Sequence, residues 1–139
     1  MGHFYYLCFL LLGFLSLPVR AGEDNCAPEQ YTREYIMKDY MKDPVRALRL
    51  LDKAEVNSAM PLNIVDELRS VVYRNMYRNK SALHYARRAY VSDSLSHDNP
   101  SHLLRMTVSM AELSYLLSEY KESMRYAVQG VELARELKD

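Results

Sequence analysis

Histidines are the first candidates for chemistry in this chain, because an imidazole can ligate a metal or act as a general acid or base near neutral pH. Two of the four, His97 and His102, flank Asp98. A spacing of five residues across a predicted helix start does not place two imidazoles on one helix face, and no third ligand lies nearby. We therefore predict no metal site. We interpret His84, at a variable position of a predicted helix, as exposed surface.

Cysteine is the other candidate, since a thiolate can act as a nucleophile. Cys26 lies in a polar segment without a neighbouring histidine, which favours a flexible tail over a reactive thiol. The chain has no Gly-x-Ser-x-Gly, phosphate-loop or His-Glu-x-x-His motif. We predict that the protein is not an enzyme and uses no cofactor. Asn79 begins an N-glycosylation pattern, which matters only in a eukaryotic secretory pathway.

Charge and composition bear on the class of partner and on the number of domains. The chain has 139 residues, with 18 basic and 18 acidic side chains. Its lysines and arginines form no stripe that would attract phosphates, so nucleic acid is not an expected partner. An apolar content of 49% with four glycines and five prolines is typical of one ordered domain with its own core.

The N-terminal segment concerns targeting. Residues 4–17 form an uncharged apolar run, and Val19 and Ala21 follow with the small-residue pattern that signal peptidase recognises. We expect residues 1–21 to be a cleaved signal peptide and the protein to be periplasmic or secreted. The alternative is an uncleaved membrane anchor over residues 4–19, a run shorter than the ~20 residues that span a bilayer.

Helix signals follow a predicted flexible linker over residues 22–28. Asp43-Pro44 and Asn99-Pro100 each pair a capping side chain with a proline suited to the first helical turn. No long run alternates apolar and polar residues as a strand would, so we predict an all-α fold. Further helix starts are predicted at Pro61, Asn79 and Ser118. The six predicted helices lie near 29–41, 44–56, 61–77, 80–96, 100–117 and 119–137.

A pattern of small residues recurs three times along these helices. The segments VRALRLLDKA (45–54), SALHYARRAY (81–90) and ESMRYAVQGV (122–131) each carry two small residues seven positions apart. The recurrence is close to the 34-residue period of helix-turn-helix solenoids, with an insertion before the third unit. Small side chains let paired helices approach closely. The residues are Ala47 and Ala54, Ala82 and Ala89, and Ser123 and Gly130, with Ser70 and Ala111 as matching positions on the first helices.

The segment AELSYLLSEYKESMRYAVQGVEL (111–133) resembles a tetratricopeptide repeat, with SEY at the turn where that family often has Gly-Asp-Tyr. The resemblance covers most of residues 29–137. It implies that residues 29–139 form an α-solenoid of about three tetratricopeptide-like pairs, near 29–56, 61–96 and 100–137.

A second resemblance concerns signalling. The segments DPVRALRLLDKAE, ALHYARRAY and GVELARELKD, behind an export signal, are similar to the secreted sensor regions of Bacteroidetes-type signalling proteins. In those proteins, repeats precede a membrane helix and a histidine kinase or an AraC-like DNA-binding output domain. The resemblance implies either the N-terminal part of such a protein or a free-standing relative.

The concave side of such a solenoid is the candidate binding surface. It is lined by the first helix of each pair, and residues there that are not used in packing face a partner. Arginine suits a carboxylate and tyrosine anchors at low entropic cost, so we predict a module that binds a protein or peptide segment. The alternative is a truncated structural fragment or docking scaffold without its own ligand. The candidate residues are Thr32, Asp39, Tyr40, Glu67, Arg74, Asn75, Arg105, Glu112 and Tyr115.

The last predicted helix carries more apolar residues than one face needs. Val128 and Leu133 are expected to point away from the domain, toward a missing neighbour. We expect this surface to pair two copies of the chain as a homodimer or to dock a partner protein. The predicted inward face consists of Tyr120, Met124, Ala127, Val131 and Ala134.

Processing of the N-terminus is directly testable. We expect the exported protein to have lost residues 1–21, because the apolar run is too short to span a bilayer and a small-residue site follows it. The measurement is the intact mass of the exported protein. A protein that retains residues 1–21 and sediments with membranes would support the anchor instead.

Overall fold

The computed structural model describes residues 31–138. The predicted signal peptide, the predicted linker and the first residues of the first predicted helix lie outside these described residues. Within them the chain is all-helical, without strands, as the sequence predicts. The helices are α1 (Arg33–Met37), α2 (Pro44–Val56), α3 (Leu62–Asn75), α4 (Asn79–Ser96), α5 (Pro100–Leu116) and α6 (Tyr120–Glu136).

The first predicted helix is too long. Helix α1 ends at Met37, and the chain then turns, with the amides of Lys42 and Asp43 both donating to the carbonyl of Asp39. Pro44 disfavours a helical conformation at the residue before it, so the chain has to leave the helix ahead of α2. The other predicted helices agree with the structure to within two residues at each end.

Two predicted caps are confirmed. The Oδ1 atom of Asp43 accepts a hydrogen bond of 2.8 Å from the amide of Arg46, and that of Asn99 accepts one of 3.0 Å from the amide of His102. Each cap precedes a proline at the start of its helix, at α2 and α5. These starts therefore depend only on local chemistry.

Two other predicted caps are wrong. Asn79 is the first residue of α4 and makes no capping bond, and α6 also lacks a side-chain cap. The preceding helices end instead in left-handed residues, Tyr77 with φ 58° and Ser118 with φ 63°. The amide that follows each of them reaches back to a carbonyl in the last helical turn, Arg78 to Tyr73 at 2.9 Å and Glu119 to Ser114 at 2.8 Å. This Schellman geometry satisfies the helix ends without a side chain.

Packing runs from each helix to the next along the chain. Helices α1 to α3 share one apolar cluster that includes Ile36, Leu51 and Leu68. Helices α4 to α6 share a second cluster, which includes Met110 and Tyr126. Short connections and sequential contacts are typical of consecutive antiparallel helices.

The recurring small residues lie where the sequence predicts. Ala47, Ala54, Ala82 and Ala89 are all buried, and so are Gly130 and Ser70. Ser123 is half-buried, and its hydroxyl donates a 2.8 Å hydrogen bond to the carbonyl of Ala111 on the neighbouring helix. Short side chains at these positions allow adjacent helices to approach.

The predicted inward face of the last helix is wrong. Tyr120 is 62% exposed, Met124 66% and Val131 52%, whereas the buried residues of α6 are Tyr126 and Gly130. Helix α6 carries two apolar faces, and its rotation is set by the fit to α5. At Gly130 an added Cβ would lie 3.7 to 3.9 Å from side chains of α5, so the glycine face is the one that sits close.

The two residues predicted to face outward have different outcomes. Val128 is 52% exposed, as predicted. Leu133 and Ala134 are both half-buried, so Leu133 lies nearer to the packed side than the sequence predicts.

Overpacking a buried alanine tests the helix register. We expect Ala89→Leu to lower the free energy of unfolding by roughly 1–3 kcal/mol, because a larger side chain has to displace the adjacent helix. Ser92→Leu, at an exposed position of the same helix, is the matched control and should change stability little. The measurement is urea unfolding, and equal midpoints for the two variants would contradict this placement of α4.

Candidate functional site

A buried carboxylate, Glu67, lies at the centre of the candidate site. Arg33 reaches it from α1 with two hydrogen bonds of 2.9 and 3.0 Å. Arg105 reaches it from α5 at 3.2 and 3.3 Å. The side chain of Glu67 is almost fully buried, while both arginines stay partly exposed. One carboxylate on α3 thus joins the helices on either side of it, by the two-pronged geometry that arginine favours.

His102 extends this cluster into the interior. The Nε2 atom lies 3.0 Å from Oε2 of Glu67, and the Nδ1 atom contacts Oδ2 of Asp93 on α4. A neutral imidazole has one N–H, so in that form it can donate to only one of these two carboxylates. Asn63 of α3 donates to the other oxygen of Asp93 at 2.7 Å.

The carboxylate–imidazole–carboxylate arrangement is sealed from solvent. The side chains of His102, Asp93 and Glu67 are 1%, 1% and 4% exposed, so a substrate cannot contact them. An imidazole between two carboxylates could move protons in an open cleft. Here it joins α3, α4 and α5.

The pKa of Glu67 lies below its ordinary value. Burial alone would raise the pKa of this carboxyl group, but hydrogen bonds from Arg33 and His102, with the charges of Arg33 and Arg105, outweigh burial. The same contacts raise the pKa of Arg33, chiefly through its hydrogen bond to Glu67. Arg33, Arg105 and His102 around Glu67 are called here the Glu67 clamp. The clamp therefore favours the ionised form of the Glu67 carboxyl group.

A second ionic cluster lies around the neighbouring residue, Asp66. Burial raises the pKa of the Asp66 carboxyl group, and the charges of Arg88 and Arg69 lower it by less. Arg88 approaches Asp66 from α4 at 3.1 Å, and Arg69 bridges to Asp52 and Glu55 of α2 at 2.6 and 2.5 Å. The cluster around Asp66 thus joins α3 to α2 and α4, whereas the arginines on Glu67 join α3 to α1 and α5.

A groove opens beside the Glu67 cluster, between α3 and α5. Its volume is about 380 Å³, and its lining is polar and aromatic. Tyr77 at its edge is 90% exposed. The lining residues are Tyr40, Ser70, Val71, Arg74, Asn75, Tyr77 and Ser109.

A second groove lies next to the first, and the side chain of Arg74 lines both. It has a volume of about 440 Å³ and runs toward α6 past Glu112, Tyr115 and Leu116. Arg74 and Glu112 form an ion pair of 2.6 Å between half-exposed side chains. The two grooves together make one surface along α3 and α5, called here the α3/α5 groove.

The structure gathers five of the nine predicted partner-facing residues in this groove: Tyr40, Arg74, Asn75, Glu112 and Tyr115. Thr32 and Asp39 are exposed at the ends of α1 and its following turn, outside the lining. Arg105 is exposed but is bonded to Glu67.

Glu67 differs from the prediction, because it is buried and bonded and so does not face a partner. The sequence pattern places Glu67 on the first helix of the second predicted pair, which is α3. It cannot show that two arginines and a histidine converge on this residue.

Sequence reasoning also missed Arg33, Asp93 and His102. One available signal was the spacing of opposite charges, since Arg33 precedes Glu67 by 34 residues and Arg105 follows it by 38. The first interval equals the predicted 34-residue period and the second exceeds it by four, so the predicted repeat would place opposite charges near equivalent positions of α1, α3 and α5. His84 is exposed, as predicted.

No group of three or more His, Cys, Asp or Glu side chains within residues 31–138 could hold a metal ion. None of the helices in this part of the chain is long and apolar enough to cross a membrane.

The opposite pKa shifts of two adjacent residues give a pH test. Because the folded pKa of Glu67 is lowered, its contribution to stability is present above the unfolded value of about 4.3 and is lost as the pH falls through the folded pKa. We expect Glu67→Gln to lower the free energy of unfolding by roughly 3–5 kcal/mol at pH 7, and by much less in acid.

Asp66→Asn is the matched control. Its pKa is raised, so protonation at acid pH favours the folded state, and this variant should lose stability more steeply than the natural chain as the pH falls. Urea unfolding at neutral and acid pH measures both variants. A destabilisation by Glu67→Gln that is the same at both pH values would contradict the clamp.

Comparison of the chain with protein-family models, with curated proteins and with solved structures found no match. The likeness to tetratricopeptide repeats therefore stays a prediction from the residues.

Proposed function

We propose that this protein is a non-enzymatic helical repeat module that binds a protein or peptide segment in the α3/α5 groove. The observation that carries the proposal is that two adjacent grooves, which share Arg74, are lined by Tyr40, Asn75, Glu112 and Tyr115. Aromatic and arginine side chains at a groove are the residue types that dominate protein recognition.

The spacing of the ion pairs supports a tetratricopeptide-like solenoid. Arg33 and Glu67 are 34 residues apart, and both Glu67 to Arg105 and Arg74 to Glu112 span 38. Contacts at one repeat interval are expected when first helices of successive pairs lie side by side. In that arrangement α1, α3 and α5 are the first helices, and the groove is their concave side.

Tyr77 supports a binding role for the groove edge. It adopts a left-handed conformation with φ 58°, where glycine is unstrained and a tyrosine is not. It is also 90% exposed, so its ring gains little from packing. A large aromatic kept at a strained, exposed position beside a groove fits a contact with a partner.

The cellular setting of the proposal comes from the residues outside the described part. We propose an exported, periplasmic or secreted module, with residues 1–21 as its signal peptide. The likeness to sensor regions further suggests a role in signal transduction, as the N-terminal part of a membrane signalling protein or as a free-standing relative. The partner is then a peptide or protein outside the cytoplasm.

A docking scaffold without its own ligand is the second candidate. The observation in its favour is the exposed apolar surface of α6, where Tyr120 and Met124 are both more than 60% exposed. Under this reading the groove is solvated surface and association occurs through α6.

Selection of random peptides displayed on phage tests the groove. We expect the purified protein to select peptides, and Arg74→Ala to weaken binding of a selected peptide by at least about tenfold, because Arg74 lines both parts of the groove. Fluorescence polarisation of the labelled peptide gives the affinity.

Arg87→Ala is the matched control for Arg74→Ala. Arg87 forms a comparable half-exposed pair with Glu119 at 3.8 Å, on α4 and away from the groove lining. The Arg87→Ala variant should bind the selected peptide with the affinity of the natural chain. Failure to select any peptide, or equal loss with both variants, would favour the scaffold.

A further inference from the structure

The outer face of α6 carries an apolar stripe that the described chain leaves uncovered. The stripe comprises Tyr120, Met124, Ala127, Val128 and Val131, and each of these residues is exposed. Their spacing of four, three, one and three residues keeps them on one side of a helix of 3.6 residues per turn. The packed side of α6, with Tyr126 and Gly130, lies about a third of a turn away.

The spacing of the stripe is that of a helix-pairing seam. Tyr120, Met124, Ala127 and Val131 follow alternating intervals of four and three residues, which is the pattern by which one helix packs along another. Apolar stripes of this length on a soluble domain mark interaction surfaces. The occupant that the stripe favours is therefore another helix.

A row of charged residues beside the stripe indicates which helix packs on it. Lys121 and Arg125 lie in the N-terminal half of α6, and Glu132 and Glu136 in its C-terminal half. All four are exposed, and the helical spacing places them on one flank of the stripe. The row is thus basic at one end and acidic at the other.

This order of charges is unfavourable within the helix itself. Basic residues near an N-terminus and acidic residues near a C-terminus oppose the helix dipole. Lys121 with Arg125, and Glu132 with Glu136, are also like charges four residues apart, which destabilises a helix. Arg125 has a surface partner in Glu122 at 2.6 Å, but no ion pair of Lys121, Glu132 or Glu136 occurs within residues 31–138. Glu122 in the first turn and Arg135 in the last complement the helix dipole, so the unfavourable order is confined to this row.

An antiparallel second copy of the chain would give the charges of this row partners of opposite sign. When two α6 helices pair about a two-fold axis near Val128, the basic end of each row faces the acidic end of the other. Lys121 then lies opposite Glu136 of the second copy, and Arg125 opposite Glu132. These charge pairs are centred between Val128 and Gln129. The pairs of Met124 with Val131 and of Tyr120 with Arg135, an apolar contact and a favourable cation–ring contact, are centred between Ala127 and Val128, so both sets lie within one residue of an axis near Val128. A closed pair with the same surface used twice is the commonest form of homo-oligomer.

We propose that the outer face of α6 pairs two copies of this chain in an antiparallel, two-fold dimer. The surface does not depend on a ligand in the α3/α5 groove. At one end it borders that groove, because the ring centroids of Tyr120 and of Tyr115 on α5 lie 5.7 Å apart.

Charge reversal tests the orientation. Lys121→Glu with Arg125→Glu makes the whole row acidic, and Glu132→Lys with Glu136→Lys makes it basic. We expect each double variant alone to associate at least about tenfold more weakly than the natural chain, because facing charges then repel. An equimolar mixture of the two should associate at least as tightly as the natural chain, since every facing pair becomes opposite.

The measurement is sedimentation equilibrium over a concentration series, with each protein in the processed form that its intact mass defines. Met124→Asp, at an exposed position, should give a monomer with an unchanged circular dichroism spectrum. Lys80→Glu, an exposed reversal on α4, is the control and should dimerise as the natural chain does. A natural chain that stays monomeric, or double variants whose mixture associates no better than either alone, would overturn the proposal.

Discussion

The ionised side chain of Glu67 is the constraint on which the described structure depends. Arg33, Arg105 and His102 surround one carboxylate that has almost no contact with water. Burying a charge is costly, and the cost is offset only while every partner is in place. The partners come from α1 and α5, and His102 passes the connection on to Asp93 of α4. The relative positions of four helices therefore depend on a single buried group.

The groove follows from that constraint. Because the Glu67 clamp holds α3 beside α5, Arg74 and Glu112 come within 2.6 Å about two helical turns further along, and two grooves lie beside this ion pair. The clamp is buried and bonded, whereas the groove residues keep exposed polar atoms. The same face of the domain thus separates into a buried part that holds the fold and a part that is exposed to solvent.

The apolar pattern of α6 is compatible with more than one packed face. Its two apolar faces are similar in composition, and only one of them can lie on α5. Gly130 and Tyr126 take the packed position, where even a Cβ added at Gly130 would be in van der Waals contact with Leu104, Thr107 and Val108. The other face stays exposed, and in the dimer that we propose it packs against a second helix. Packing and the proposed association would thus use different faces of the same segment.

The sequence by itself determined the all-α class and the starts of α2 and α5. Each of these depends on groups within a few residues of one another, such as Asp43 with Arg46 or Asn99 with His102. Only the tertiary structure decided that Glu67 is buried and which face of α6 packs. Those outcomes depend on contacts between residues about 35 positions apart, such as Glu67 with His102, or on the fit of one helix surface to another. Periodicity places a residue on a helix face, but the charge and shape of the distant neighbour decide whether that face is buried.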